Sequence, residues 1–187
     1  FGIDAQKNYY FSHMYNCIYD CRYCFLQGMY SSANYVLFVN YEDFFKEITD
    51  VIAENTNDSI TFFSGYDCDS LAFEKITGFA EQAVEFFSNF NSVELELRTK
   101  SIVSDTLLKR SPISNCIVAY SLSPSNVASI LDHKAPSVER RINALKLLAK
   151  NGWHVGLRFD PLIYCSDWKK IYSELFCQIF SDINVAR

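Results

Sequence analysis

Apolar positions along this chain fall into short runs at a period of two and longer stripes at a helical period, and the two kinds alternate throughout. Residues 8 to 15 (NYYFSHMY) are aromatic and extended, and read as a first strand leading into a cysteine-containing loop that continues through Gly28 and Ser31. Asn40 stands where a helix N-cap belongs, followed by Glu42 and Asp43 in a first turn and by Phe44, Phe45, Ile48, Val51 and Ile52 at helical spacing. Residues 59 to 64 (SITFFS) read as a short buried strand. A helix is expected after Asp69, with Leu71, Phe73, Ile76, Ala80, Ala83, Val84 and Phe87 inward and Gly78 as its weak point. Further strands are expected at 93 to 98 (VELELR), 116 to 122 (CIVAYSL) and 153 to 160 (WHVGLRFD). Between the last two, Pro136 and Ser137 open a helix with Val138, Ile142, Leu145, Leu148 and Ala149 on one stripe, closed by Gly152. A last helix runs from about Asp167 through Trp168, Ile171, Leu175 and Phe176.

Five strands each followed by helical pattern predict parallel β/α units in an α/β fold. An open or partial (β/α) barrel is the expected architecture, and a doubly wound sheet shares its local signature. In either, chemistry collects in the loops beyond the carboxyl ends of the strands, where the cysteine loop falls.

Composition narrows the class. With 187 residues, 49% hydrophobic and 16% aromatic, the chain can fold as one globular domain over residues 1 to 187 without a disulfide framework. Its 16 Phe, 12 Tyr and 2 Trp rule out disorder. A net charge of -5 argues against binding nucleic acid or an anionic membrane by bulk charge, although a local basic groove is compatible with it. No uncharged apolar run approaches the ~20 residues needed to cross a bilayer. The chain opens on Phe1 with no signal-peptide pattern, so it is expected to be cytoplasmic and a piece of a longer protein.

Seven cysteines are present, and three of them, Cys17, Cys21 and Cys24, lie within eight residues, while Cys68, Cys116, Cys165 and Cys177 stand singly. An odd count with this clustering is a metal-site pattern, not a disulfide scaffold. Two solutions fit the spacing. Three thiolates with His13 would close a zinc site, whereas a 4Fe-4S cluster on three thiolates would leave one iron open to a ligand.

The stretch from Cys17 to Gln27, CIYDCRYCFLQ, resembles the cluster loop of the radical S-adenosylmethionine (SAM) enzymes, with Tyr23 as the aromatic before the third cysteine. Over nearly the whole chain the sequence is similar to the spore photoproduct lyase family, through YCFLQ, FVNYED, DSLAFEKITG, LRTKS, YSLSP, APSVERRINALKLLAKNGW and DPLIYCSDW in order. The resemblance implies a partial barrel of the radical SAM type and a 4Fe-4S cluster on Cys17, Cys21 and Cys24. It implies SAM cleaved to a 5'-deoxyadenosyl radical, and hydrogen abstraction from a methylene-bridged thymine lesion. It further implies Tyr23 near the adenine, Lys100 and Ser121 in contact with SAM, and Asp69 at the SAM amino end, where it also suits a helix N-cap. DNA and an electron donor of the flavodoxin or ferredoxin type are the implied partners, with no membrane.

Departures from the family pattern concern the substrate. Tyr66 stands where the family has a cysteine that returns a hydrogen to the product radical. Cys68, two residues on, would share its face in an extended strand, and it occupies the position of a SAM-contacting serine. Phe25 replaces a tyrosine that relays hydrogen. Radical SAM chemistry is therefore expected ahead of thymine lesion repair; a different substrate, or a non-catalytic zinc or structural cluster domain, is the alternative. Cys116 and Cys177 read as buried core cysteines, Cys165 as loop filler ahead of a second radical partner, and Arg140 and Arg141 as a solvated helix start, although Arg141 matches a position of the family it resembles.

Overall fold

The computed structural model describes residues 5–181. In chain order its elements are β1 (Lys7–Phe11), β2 (Met14–Tyr15), α1 (Leu26–Met29), β3 (Val36–Leu37), α2 (Tyr41–Glu54), β4 (Ile60–Ser64), α3 (Glu74–Thr77), α4 (Phe79–Phe87), β5 (Val93–Thr99), α5 (Asp105–Leu108), β6 (Cys116–Ser121), α6 (Ser125–Leu131), α7 (Val138–Lys150), β7 (His154–Arg158) and α8 (Trp168–Phe180). Five strands form one parallel sheet in the order β1-β4-β5-β6-β7, and β2 pairs with β3 in a small antiparallel ribbon.

That order decides between the two architectures. Each new strand is added on the same side, so right-handed crossovers carry every connecting helix to one face. A doubly wound sheet would reverse its order and cover both faces. The core accordingly lies on one side, where Phe62, Leu95, Leu97, Val118 and Tyr120 meet helix residues such as Ile48, Val84, Leu145 and Leu175. The alternate positions of the same strands point to the other, concave face and are largely polar. There Glu96 is buried at 5% exposure, accepts from Arg98 Nε at 3.3 Å and pairs with Arg158. The fold is thus the partial barrel.

Several expected elements take a different form. The run 8 to 15 does not stay one strand: β1 ends at Phe11, and the chain turns at Ser12 and His13 before the ribbon strand β2. The helix expected after Asp69 is two, because Gly78 adopts the left-handed region (φ 58°) and breaks it. The buried Glu74 carboxylate then accepts from Ala80 N (2.7 Å) and Glu81 N (3.2 Å), supplying the second helix with its N-terminal acceptor, while Ile76 points outward at 77% exposure. Asn40 stands at the N-cap of α2, yet its side chain donates to Asp43 rather than capping the backbone. Ser137 does cap α7, accepting from Arg140 N.

Two readings of single residues are corrected. Arg141 is not solvated: it is 1% exposed, with its guanidinium paired to Asp132. Cys177 is exposed, because the buried stripe of α8 is Tyr172, Leu175 and Ile179 and residue 177 falls on the opposite side. Cys116 is fully buried, as expected. Among the described residues, no helix is long and apolar enough to cross a membrane.

Candidate active site

A cavity of about 820 Å³ opens at the carboxyl ends of the strands. It collects side chains from the loop between β2 and β3, the turn after β4, the end of β5 and the end of β6. Cys17, Cys21, Cys24 and Tyr23 enter from the first, Tyr66, Cys68 and Asp69 from the second, Lys100 from the third and Ser121 from the fourth. Every residue that the family resemblance assigns to the site therefore lines one cavity, whereas His13, the candidate zinc ligand, does not.

The cysteine loop is tight. Asn16 (φ 69°) and Asp20 (φ 52°) take left-handed conformations, and Cys24 N donates to Cys21 O at 3.0 Å. All three cysteines are free thiols, with Cys21 buried and Cys17 and Cys24 partly so. Burial pushes the Cys17 thiol up to about 12 and the Cys21 thiol up to about 11, so both are protonated at neutral pH until a metal displaces the proton. Among the described residues no three His, Cys, Asp or Glu side chains converge on a single ion. His13, the candidate fourth zinc ligand, is 1% exposed and stacked on Phe79 at 3.9 Å, and its Nδ1 lies 3.8 Å from Cys68 Sγ. Three soft thiols delivered by one loop to a cavity wall are a donor set that would fit a 4Fe-4S cluster.

Tyr23 is fixed from behind. Its hydroxyl donates to Asp132 Oδ1 at 2.8 Å, and Lys100 Nζ lies 5.3 Å from the centre of its ring. Lys100 follows the last residue of β5 and is itself placed by Asp69. The Asp69 carboxylate accepts from Lys100 N (2.6 Å), Thr99 Oγ1 (2.7 Å), Ala72 N (2.9 Å) and Leu71 N (3.0 Å). It therefore caps the turn at 71–72 and not a helix, because α3 begins only at Glu74 with Phe73 at its N-cap, and it also clamps that turn to the end of β5. Burial raises its pKa against the lowering by Lys100, Thr99 and Leu71.

The turn after β4 departs from the extended geometry that would have placed Tyr66 and Cys68 on one face. Gly65 has φ 79°, and a Cβ there would meet Ser70 Oγ at 2.6 Å, so the chain bends at once. Both residues reach the cavity by the bend instead, Tyr66 at 51% exposure and Cys68 at 9%. Desolvation raises the Cys68 pKa and keeps it a thiol. Phe25 and Tyr66 approach at 5.5 Å, and Tyr66 and Tyr10 at 5.3 Å, forming an exposed aromatic rim. Cys165 lies outside this cavity, in a shallow depression of its own loop.

The sequence reading missed Asp132 behind Tyr23 and placed Arg141, its partner, in solvent. Arg141 had a signal: it falls on the same helical stripe as Val138, Ile142, Leu145 and Leu148. Asp132 lies 109 residues from Tyr23, and nothing local marks it.

A parallel half-barrel with a three-cysteine loop after its first strand, facing a cavity at the strand ends, has the architecture of the radical SAM proteins. The family model described as spore photoproduct lyase matches residues 5–186, and the chain belongs to that family. It is 24% identical to the spore photoproduct lyase of Clostridium acetobutylicum over 171 residues, 91% of this chain and 51% of that protein. Against the Bacillus subtilis lyase the identity is 24% over 161 residues, 86% of this chain and 47% of that protein. A solved structure of a spore photoproduct lyase mutant with bound AdoMet and dinucleoside spore photoproduct superposes with a TM-score of 0.85 at 23% identity, covering 90% of this chain and 50% of that one. The chain thus spans about half the length of the curated relatives it matches.

Proposed function

We propose that the chain is the radical SAM core of a cytoplasmic enzyme acting on a methylene-bridged thymine lesion in DNA. The observation that carries this is the meeting of Cys17, Cys21 and Cys24 with Tyr23, Asp69, Lys100 and Ser121 on one cavity at the strand ends. A 4Fe-4S cluster on the three cysteines would supply the electron, taken from a flavodoxin- or ferredoxin-type donor, that splits SAM into methionine and a 5'-deoxyadenosyl radical. Lys100 and Ser121 would hold the cofactor by polar contact and Tyr23 would offer its ring to the adenine, while Asp69 fixes the backbone beneath Lys100 and would serve the SAM amino end. Cys68 and Tyr66 are the two hydrogen-bearing groups that the turn after β4 presents to the substrate radical. The protonated thiol of Cys68 has a hydrogen to give, and the Tyr66 phenol is its competitor.

A second reading, radical SAM chemistry on a different substrate, is favoured by the rim, where the bulky exposed Tyr66 and Phe25 meet whatever enters. The reconstituted protein, given dinucleoside spore photoproduct, SAM and reductant, is expected to release repaired thymidine. SAM cleavage without any change in the dinucleoside would move the enzyme to the second reading.

A further inference from the structure

A charged pair at 1% side-chain exposure, outside the cavity and taking no part in the contacts assigned to SAM, needs a reason to be there. Asp132 lies in the connection between α6 and α7, and its Oδ2 meets Arg141 Nη2 at 2.7 Å. Its Oδ1 accepts the hydroxyl of Tyr23 at 2.8 Å. On the other side, Arg141 donates through Nε to Pro136 O (2.8 Å) and through Nη1 to Ser121 O (3.1 Å). One ion pair thus grips two cavity-lining residues that the sequence keeps far apart: the aromatic of the cysteine loop and the serine at the end of β6.

The cysteine loop is docked on this connection along its length. Arg22 N donates to Leu131 O (2.8 Å), Lys134 N donates to Tyr19 O (2.9 Å), and the Asp20 carboxylate meets His133 Nδ1 (3.2 Å) and Lys134 Nζ (3.1 Å). The outer contacts are solvent-exposed and worth little. Tyr23–Asp132–Arg141 is the buried centre of the docking, where hydrogen bonds gain most from low dielectric.

We infer that Asp132 and Arg141 are positioning residues that hold Tyr23 and Ser121 in register across the cavity. This rests on the reading of that cavity as the SAM site.

The test compares reconstituted parent, Tyr23→Phe, Asp132→Asn and the double variant by equilibrium SAM binding, with circular dichroism as the check on folding. Tyr23→Phe leaves the ion pair whole and should weaken SAM binding by about threefold to tenfold, the worth of one buried hydrogen bond. Asp132→Asn should weaken it at least as much. The double variant should bind SAM no more weakly than the weaker single variant, because both act through one contact. Parent-like SAM affinity in Tyr23→Phe, or losses that simply add in the double variant, would overturn the inference. If Asp132→Asn fails to fold, Tyr23→Phe decides alone, and unchanged affinity overturns it. A parent that assembles no cluster or binds no SAM would instead break the reading beneath it, so the two failures are distinguishable.

Discussion

Tyr23 and Tyr66 both face the cavity, but Tyr23 is tied through its hydroxyl to a buried ion pair, whereas Tyr66 is 51% exposed and held by ring contacts with Tyr10 and Phe25. The same contrast runs through their surroundings. Asp69, with four donors on one carboxylate, and Lys100, held by its backbone, belong to the tied wall. The rim at Phe25 and Tyr10 is more than half exposed and apolar. Fixed geometry is therefore concentrated on the wall that, in the proposed reading, would orient the cofactor, and adaptable surface at the rim where a substrate would enter.

The strongest way to break this division is at the wall. Replacing Cys17, Cys21 or Cys24 by Ala should abolish cluster assembly and SAM cleavage altogether, because in the proposed reading each thiolate would hold a different iron. A Cys24→Ala protein that cleaves SAM at the parental rate would remove the cysteine loop from the wall.

Next comes the packing beneath Cys68. Burial pushes the His13 imidazole down from the usual 6.5 to about 4, so it is neutral in the fold while an unfolded chain takes up a proton below 6.5. The stability gained from the neutral ring is whole above pH 6.5 and is lost as pH falls toward 4, by about 3 kcal/mol at most. Urea unfolding of the metal-free chain should show this fall, and His13→Gln should flatten it; an unflattened slope would assign it to the carboxylates.

Smaller effects are expected on cofactor affinity. Lys100→Ala and Ser121→Ala should each leave the cluster intact and weaken SAM binding by about 0.5 to 3 kcal/mol, the charged contact costing more. Unchanged affinity in both would place SAM elsewhere.

At the rim the comparison predicts the least change in SAM handling and the most in product. Tyr66→Phe should shift stability by less than about 0.5 kcal/mol and leave SAM cleavage at the parental rate. Cys68→Ala should likewise cleave SAM, but convert clean repair of the dinucleoside into products trapped part-way if the thiol is the hydrogen donor. Clean repair surviving in Cys68→Ala would pass the role to Tyr66.

How far the sequence could be read follows from the range of the forces involved. The strands at 60–64, 93–99 and 116–121 and the helices at 41–54 and 138–150 were legible, because their burial is written in local periodicity. The helices α1, α5 and α6, at four, four and seven residues, were not, being too short to show a period. The break at Gly78 was anticipated as a weakness, but its stabilising partner, the buried Glu74 carboxylate, comes from tertiary packing. Whether the sheet closed as a half-barrel depended on strand order, which no local pattern encodes. For the site, the cysteine spacing was legible within one loop, while the support behind Tyr23 spans 109 residues and emerges only in three dimensions.

The most direct test of the account is anaerobic reconstitution with iron and sulfide, followed by metal analysis and electron paramagnetic resonance of the reduced protein with and without SAM. About four irons per chain and a spectrum that changes when SAM is added are the predicted result. One tightly held zinc per chain, or a cluster whose spectrum is indifferent to SAM, would contradict it.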